Sequence, residues 1–145
     1  MYQEKDFQTE FNKWLKIIFR RTGAFELKLS KTDSLPFSAV AQHQSDALFH
    51  AKRNTLAYKI PDDTYSQKPF DCFALSQVPA FVVIMFNGKS KHFYMVDIDV
   101  WIEEARTSAR RSLTEVRAAE IGSKYDLSGT LPYAHKGSRT SQPVQ

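Results

Sequence analysis

The chain has 145 residues, 42% of them hydrophobic and 25% charged, with a formal net charge of +4. That length points to one domain with a real core, no apolar run approaches the roughly 18 residues of a membrane span, and the charged residues at 1–6 do not read as a signal peptide. A single cysteine, Cys72, excludes an internal disulfide or a cysteine-cluster zinc site and fits a reducing cytosol, while the small positive excess permits a nucleic-acid partner without requiring one.

Residues 6–21 are predicted to form an amphipathic helix, because Phe7, Phe11, Trp14, Leu15 and Ile18 fall on one apolar stripe. Glu10 sits about 60° to one side of that stripe, at the border with solvent, and Gly23 is the expected helix stop. Residues 24–30 read as the first strand. Side chains alternate along it, so Glu26 and Lys28 share one face while Phe25, Leu27 and Leu29 share the other. After a loop over 31–36, a second helix is predicted over 38–53, with Ser38 as its N-cap and Val40, Gln44, Leu48 and Ala51 on one face. Its pair His43-Gln44 begins 15 residues after Lys28.

Residues 55–60, a polar turn at Pro61-Asp62-Asp63 and residues 69–76 read together as a hairpin with a long loop. Residues 80–86 are a continuous apolar run, the pattern of a central strand. Asn87-Gly88 is a hairpin-turn signal, and 91–98 is the returning strand. A long helix is predicted over 100–121, stopped by Gly122. On it, Arg106, Arg110, Arg111 and Arg117 alternate with Glu103, Glu104, Glu115 and Glu120, the pattern of a solvated face with i,i+4 pairs. Residues 122–145 turn to Gly, Ser, Thr and Pro and are expected to be a flexible tail, leaving one domain over 1–121. The element order predicts an α/β fold with a central mixed sheet flanked by helices.

A carboxylate and an ammonium on one strand face suit metal-assisted phosphodiester hydrolysis. That chemistry needs carboxylate oxygens to hold Mg²⁺ and a positive group near the attacking water or scissile phosphate. In order along the chain stand the helix with Glu10, the strand Phe25-Glu26-Leu27-Lys28, the helix with His43-Gln44 and the strand Ala80-Phe81-Val82-Val83-Ile84. This series resembles the PD-(D/E)xK nuclease superfamily over about residues 4–100, and within it the Holliday junction resolvases of the archaeal Hjc and bacterial RecU kind.

The resemblance implies a restriction-endonuclease-like core, with Glu26 as a metal ligand and Lys28 orienting the attacking water or offsetting charge. It implies Glu10 as a contributor to the metal site and Gln44 beside it. It also implies Mg²⁺ (with Mn²⁺ able to substitute), branched or duplex DNA as partner, and a homodimer, since a four-way junction presents two symmetric strands to cut. The family's Asp on the strand before Glu-x-Lys has no match, because residues 11–25 contain no Asp.

Asp71, 45 residues after Glu26 and at the start of an apolar strand, is the expected replacement ligand, delivered by the 55–76 hairpin docking beside the Glu26 strand. Asp62 and Asp63 read as turn formers and stand behind it as ligand candidates. Lys31, Lys59, Lys68 and His43 are expected to meet DNA. His43 and His50 are too far apart along a helix to share one ion. Two other functions fit the same residues: a nuclease of this fold acting on another substrate, as a restriction or repair endonuclease or a single-strand exonuclease, and a DNA-binding module that has lost a ligand.

Overall fold

The first helix forms where its apolar stripe can be buried. In a computed structural model that describes residues 1–61 and 70–128, α1 (Glu4–Trp14) buries Phe7, Phe11 and Trp14. Asp6 closes its first turn by accepting the Gln3 backbone N–H at 2.7 Å. The chain continues through a π-helical turn, Leu15–Phe19. It stops where Arg20 adopts the left-handed conformation (φ 57°) and gives its N–H to the Leu15 carbonyl at 2.7 Å. The helix stop is therefore Arg20 and not Gly23. Gly23 is needed for a close approach instead, since a Cβ there would lie 2.7 Å from the Phe25 ring and 3.1 Å from the Pro79 carbonyl oxygen.

Strand β1 (Ala24–Leu29) leads through β2 (Ser34–Pro36), a 3-10 turn (Phe37–Ala39) and α2 (Gln42–Arg53) to β3 (Thr55–Lys59). Then come β4 (Cys72–Ser76), β5 (Ala80–Met85), β6 (His92–Asp97), α3 (Ile98–Thr107), β7 (Ser112–Thr114), α4 (Glu115–Ile121) and β8 (Ser123–Asp126). The main sheet has the order β1-β5-β6-β8. β1 and β5 are parallel, with Glu26 opposite Val82 and Lys28 opposite Ile84, and α2 lies in the crossover between them. β5–β6 and β6–β8 are antiparallel. The architecture is thus the expected mixed α/β fold, a central mixed sheet flanked by helices.

β5 is the continuous apolar strand because both of its faces are covered. Val83 and Met85 join Phe93 and Met95 of β6 beneath Phe7, Phe11 and Trp14 of α1. On the opposite face, Val82 and Ile84 join Tyr94 and Val96 against Leu48 of α2, Trp101 of α3 and Ala118 of α4. The Asn87-Gly88 turn has both residues at positive φ, 63° and 71°, as the sequence signal requires. Its amides bond the carbonyls of Thr32 and Ser30, so it is tied to the segment after β1 and not closed as a two-residue hairpin.

Three further sequence expectations change. The helix expected over 100–121 is two helices, because Leu113 leaves the helical path to be buried opposite Leu35 in the β2–β7 pair. Thr114 then N-caps α4 by accepting the Arg117 N–H at 3.2 Å. The domain does not end at 121: Ser123–Asp126 pairs with β6 because Tyr125 packs edge-on to Trp14 at 5.1 Å and stacks on Phe93 at 5.7 Å. Residues 129–145 of the expected tail lie outside the described residues. Finally, α2 starts at Gln42, not after Ser38. Ser38 sits in the 3-10 turn, and the helix is capped at Ala41, whose N–H is accepted by the Gln44 side chain at 2.9 Å.

Candidate functional site

Alternation along β1 sorts its side chains as the sequence predicted. Phe25, Leu27 and Leu29 enter the aromatic cluster under α1, and Phe25 packs edge-on to Phe11 at 5.2 Å. Glu26 and Lys28 point to the other face. There the Lys28 ammonium lies 3.4 Å from Glu26 Oε1, with side chains 15% and 25% exposed, so the pair is largely withdrawn from solvent. Gln44 Nε2 donates to the same Oε1 at 2.8 Å.

Because the Gln44 carbonyl oxygen accepts the Ala41 N–H, its NH₂ is the end left to face Glu26. A capping residue of α2 therefore fixes one carboxylate oxygen of β1. The structure brings together Glu26, Lys28 and Gln44.

A groove of about 420 Å³ opens along this edge of the sheet. Gly23 and residues Ala24 to Leu27 of β1 form one side, with Phe11 of α1, Leu15 of the π-helical turn, His43 and Gln44 of α2, and Tyr58 and Phe73 of the β3–β4 hairpin around it. β1 has no strand partner here among the described residues. Its even-numbered residues turn their peptide groups toward β5, as the flanking bonds Ala24 N–H to Pro79 and Ser30 N–H to Met85 show. The peptide groups of Phe25, Leu27 and Leu29 consequently face outward.

The first helix contributes a different carboxylate from the one expected. Glu10 accepts the Tyr2 hydroxyl at 2.7 Å and does not line the groove. Burial, together with that hydrogen bond and the Glu10 charge, holds the Tyr2 hydroxyl above its ordinary range. Glu4 reaches β1 instead, accepting the outward Leu29 N–H at 3.2 Å. Glu4 lies about 120° around the helix from Glu10 by the 100° step, and with Gln8 it borders a smaller cavity beside Glu26. The signal for it was the spacing of Glu4 and Gln8 on the other flank of the apolar stripe.

The expected hairpin forms, with Tyr58 opposite Phe73 and Lys59 opposite Cys72. It makes its own two-stranded sheet and does not join the central one. Asp71 accepts the Ile60 N–H through its carbonyl at 2.8 Å. By alternation it shares the hairpin face of Phe73 and Leu75, which line the groove. Lys59 falls on the opposite face.

His43 is exposed at the groove, and Lys31 is exposed just after β1. Lys68, Asp62 and Asp63 lie outside the described residues. Among the described residues no three His, Cys, Asp or Glu side chains form a group able to hold a metal ion, so Glu26, Asp71 and Glu10 are not assembled as one ligand set.

A second charged cluster, missed from sequence, sits at the far end of α2. Lys52 lies 2.9 Å from Asp97 and 2.6 Å from Asp99, and Arg53 lies 2.7 Å from Asp99. Burial opposes ionisation of Asp99, but hydrogen bonds from Lys52 and Arg53 outweigh it and hold the carboxyl below its ordinary range. Burial likewise acts to lower Lys52, and its bonds to Asp99 and Asp97 raise it overall. Asp97 also caps α3, accepting the Asp99 N–H at 2.8 Å. No family model, curated protein or solved structure matches the chain.

Proposed function

We propose that this protein is a metal-dependent DNA endonuclease with a restriction-endonuclease-like core, acting as a homodimer on branched DNA in the manner of a Holliday junction resolvase. The observation that carries this reading is the coupling of Glu26 and Lys28 on one face of an open edge strand, with Gln44 of the following helix donating to the same carboxylate. The order Glu-x-Lys then His-Gln gives the resemblance; the geometry supplies an anionic ligand at a groove, with a cation beside that ligand.

Mg²⁺ is typically held by one or two carboxylates plus substrate phosphates, not by an all-protein cage. Glu26 fits as that carboxylate, with Glu4, which shares a cavity with it, and Asp71 of the hairpin as further candidates. The chemistry supplied by bound Mg²⁺, or by Mn²⁺ in its place, would be polarisation of the scissile phosphate and acidification of a water. Lys28 offsets charge developing on the phosphate. Gln44 keeps Glu26 in one rotamer, and His43 and Lys31 meet phosphates on either side. Binding through phosphates makes affinity salt-sensitive and sequence-tolerant.

The test is nicking of a synthetic four-way junction, with linear duplex as control. Wild type nicks the junction in Mg²⁺ and not in EDTA, and Glu26→Ala abolishes nicking. Equal cutting of linear duplex would remove the resolvase assignment and leave the nuclease. Activity surviving in Glu26→Ala would remove both. The lack of a three-ligand group among the described residues favours one other reading, a binding module of the same fold; tight junction binding with no cleavage in Mg²⁺ or Mn²⁺ would establish it.

A further inference from the structure

We infer that Tyr58 and Phe73 form a stacking platform for an unpaired nucleobase, so that the groove selects nucleic acid with an unpaired nucleotide beside the phosphodiester presented to Glu26 and Lys28. This rests on the nuclease reading of the groove and specifies its substrate.

The two rings face each other across the hairpin, with centroids 5.4 Å apart and planes 27° apart. They remain 39% and 43% exposed, and neither belongs to the apolar clusters on the two faces of the sheet. Their contribution to the core is therefore small, although two large aromatic side chains exposed together are unfavourable in water. The hairpin base is fixed to α2 by bonds from the Gln77 and Val78 amides to the Asn54 and Ala51 carbonyls, both 3.0 Å. The platform is thus held in place on one wall of the groove.

Away from the platform the lining mixes apolar side chains, Phe11, Leu15, Ala47 and Leu48, with the polar groups of Glu26, Gln44 and His43 and the outward peptide groups of Phe25 and Leu27. An occupant suited to it offers a flat apolar face to Tyr58 and Phe73 and hydrogen-bonding edges and charge to Glu26, Gln44 and His43. A nucleotide has this division, and a volume near 420 Å³ falls within the roughly 300–1,000 Å³ of small-ligand sites. Every base has a π-face, so stacking on aromatic side chains is sequence-tolerant but requires the base to be out of its pair. A peptide strand adding to β1 fits less well. Glu4 already takes the Leu29 N–H, which leaves an edge only about two outward peptide groups long, near 7 Å at the strand repeat.

The experiment uses the full chain without divalent metal and four DNAs of equal length: single strand, paired duplex, four-way junction, and duplex with one unpaired 2-aminopurine. Wild type and Tyr58→Phe should quench the unpaired 2-aminopurine on binding. The double variant Tyr58→Leu/Phe73→Leu, which keeps apolar bulk, should lose the quench and weaken roughly tenfold on DNAs with unpaired bases while holding paired duplex within about twofold. If the double variant does not melt like wild type, the single Tyr58→Leu is compared with Tyr58→Phe on the same probes.

Undiminished quenching and binding in the leucine variants would overturn the platform while junction nicking by wild type leaves the nuclease standing. Wild type that binds none of the DNAs and does not nick the junction once Mg²⁺ is added would overturn the nuclease itself. A platform that instead receives a peptide would show as wild type binding every DNA without quenching, which also overturns the inference.

Discussion

The two ends of α2 hold charge in different ways. At its C-terminal end, Lys52 and Arg53 meet Asp97 and Asp99 at 2.6 to 2.9 Å, two cations against two anions. Each pair also sits at the helix terminus that favours its sign, the C-terminus of α2 and the N-terminus of α3. At its N-terminal end, one carboxylate, Glu26, faces one ammonium at the looser distance of 3.4 Å, and that carboxylate borders an open groove. A balanced and closed network clamps helices together. A loose pair with one side open can exchange a partner for substrate, and this difference is what makes Glu26 and Lys28 the proposed reactive end.

Removing one lysine from each end tests that contrast most severely. Lys28→Ala should lower junction nicking by roughly 10²–10³-fold, the usual cost of losing one charge-stabilising group, with the thermal midpoint nearly unchanged. Lys52→Ala should do the opposite. It leaves Asp97 without its ammonium and Arg53 paired with Asp99 alone, and should cost about 1 kcal/mol of stability, discounted for partial exposure, with nicking per folded molecule unchanged. Measuring both rates and both melts decides it: a Lys52→Ala enzyme as inactive as Lys28→Ala would dissolve the distinction.

Gln44 joins the reactive end to the fold, and two substitutions separate its roles. Gln44→Ala removes the acceptor for the Ala41 N–H and the donor to Glu26; it should lower stability by about 1 kcal/mol through the lost cap. Gln44→Glu keeps a capping acceptor at that position but sets a second carboxylate against Glu26, so it should retain stability better at acid than at neutral pH. Urea midpoints at pH 5 and 7 measure this, and identical midpoints for the two variants at both values would show that the bond to Glu26 carries no weight.

Much of this was legible because strands write a two-residue period into sequence. The partition of Phe25, Leu27 and Leu29 from Glu26 and Lys28 needed only alternation, and β5 announced its burial by a run without polar breaks. The apolar face of α2 marked Gln44 as an amide in need of a partner, and only the family resemblance pointed to Glu26 as that partner. The choice between Glu4 and Glu10 did not: both border the α1 stripe, and only the packing of α1 across the sheet decides which flank meets the β1 edge. The short β7 and β8 were hidden for a related reason. Three or four residues carry too little period to read, and they become strands only because β2 and β6 present partners. Asp71 lay between these cases, since its face on the hairpin was readable and the hairpin's position was not.

The smallest effect comes from the closed end and concerns acid. The Asp99 carboxyl is held below its ordinary value of 3.8 by Lys52 and Arg53 against the opposing effect of burial. Unfolded chains therefore take up this proton at a higher pH than folded ones. The stabilisation is complete above about pH 4 and is lost as pH falls through the depressed folded value. Asp99→Asn should lower stability at pH 7 by less than about 1 kcal/mol, because the side chain is about a third exposed, and should make the fall in stability between pH 5 and 2 shallower than in wild type. The limb will not become flat, since Glu104, bonded to Arg117 at 2.8 Å, is also held low. Superimposable acid limbs for wild type and Asp99→Asn would mean that the network at the C-terminal end of α2 holds no pH-dependent stability, and the contrast with Glu26 and Lys28 would then rest on geometry alone.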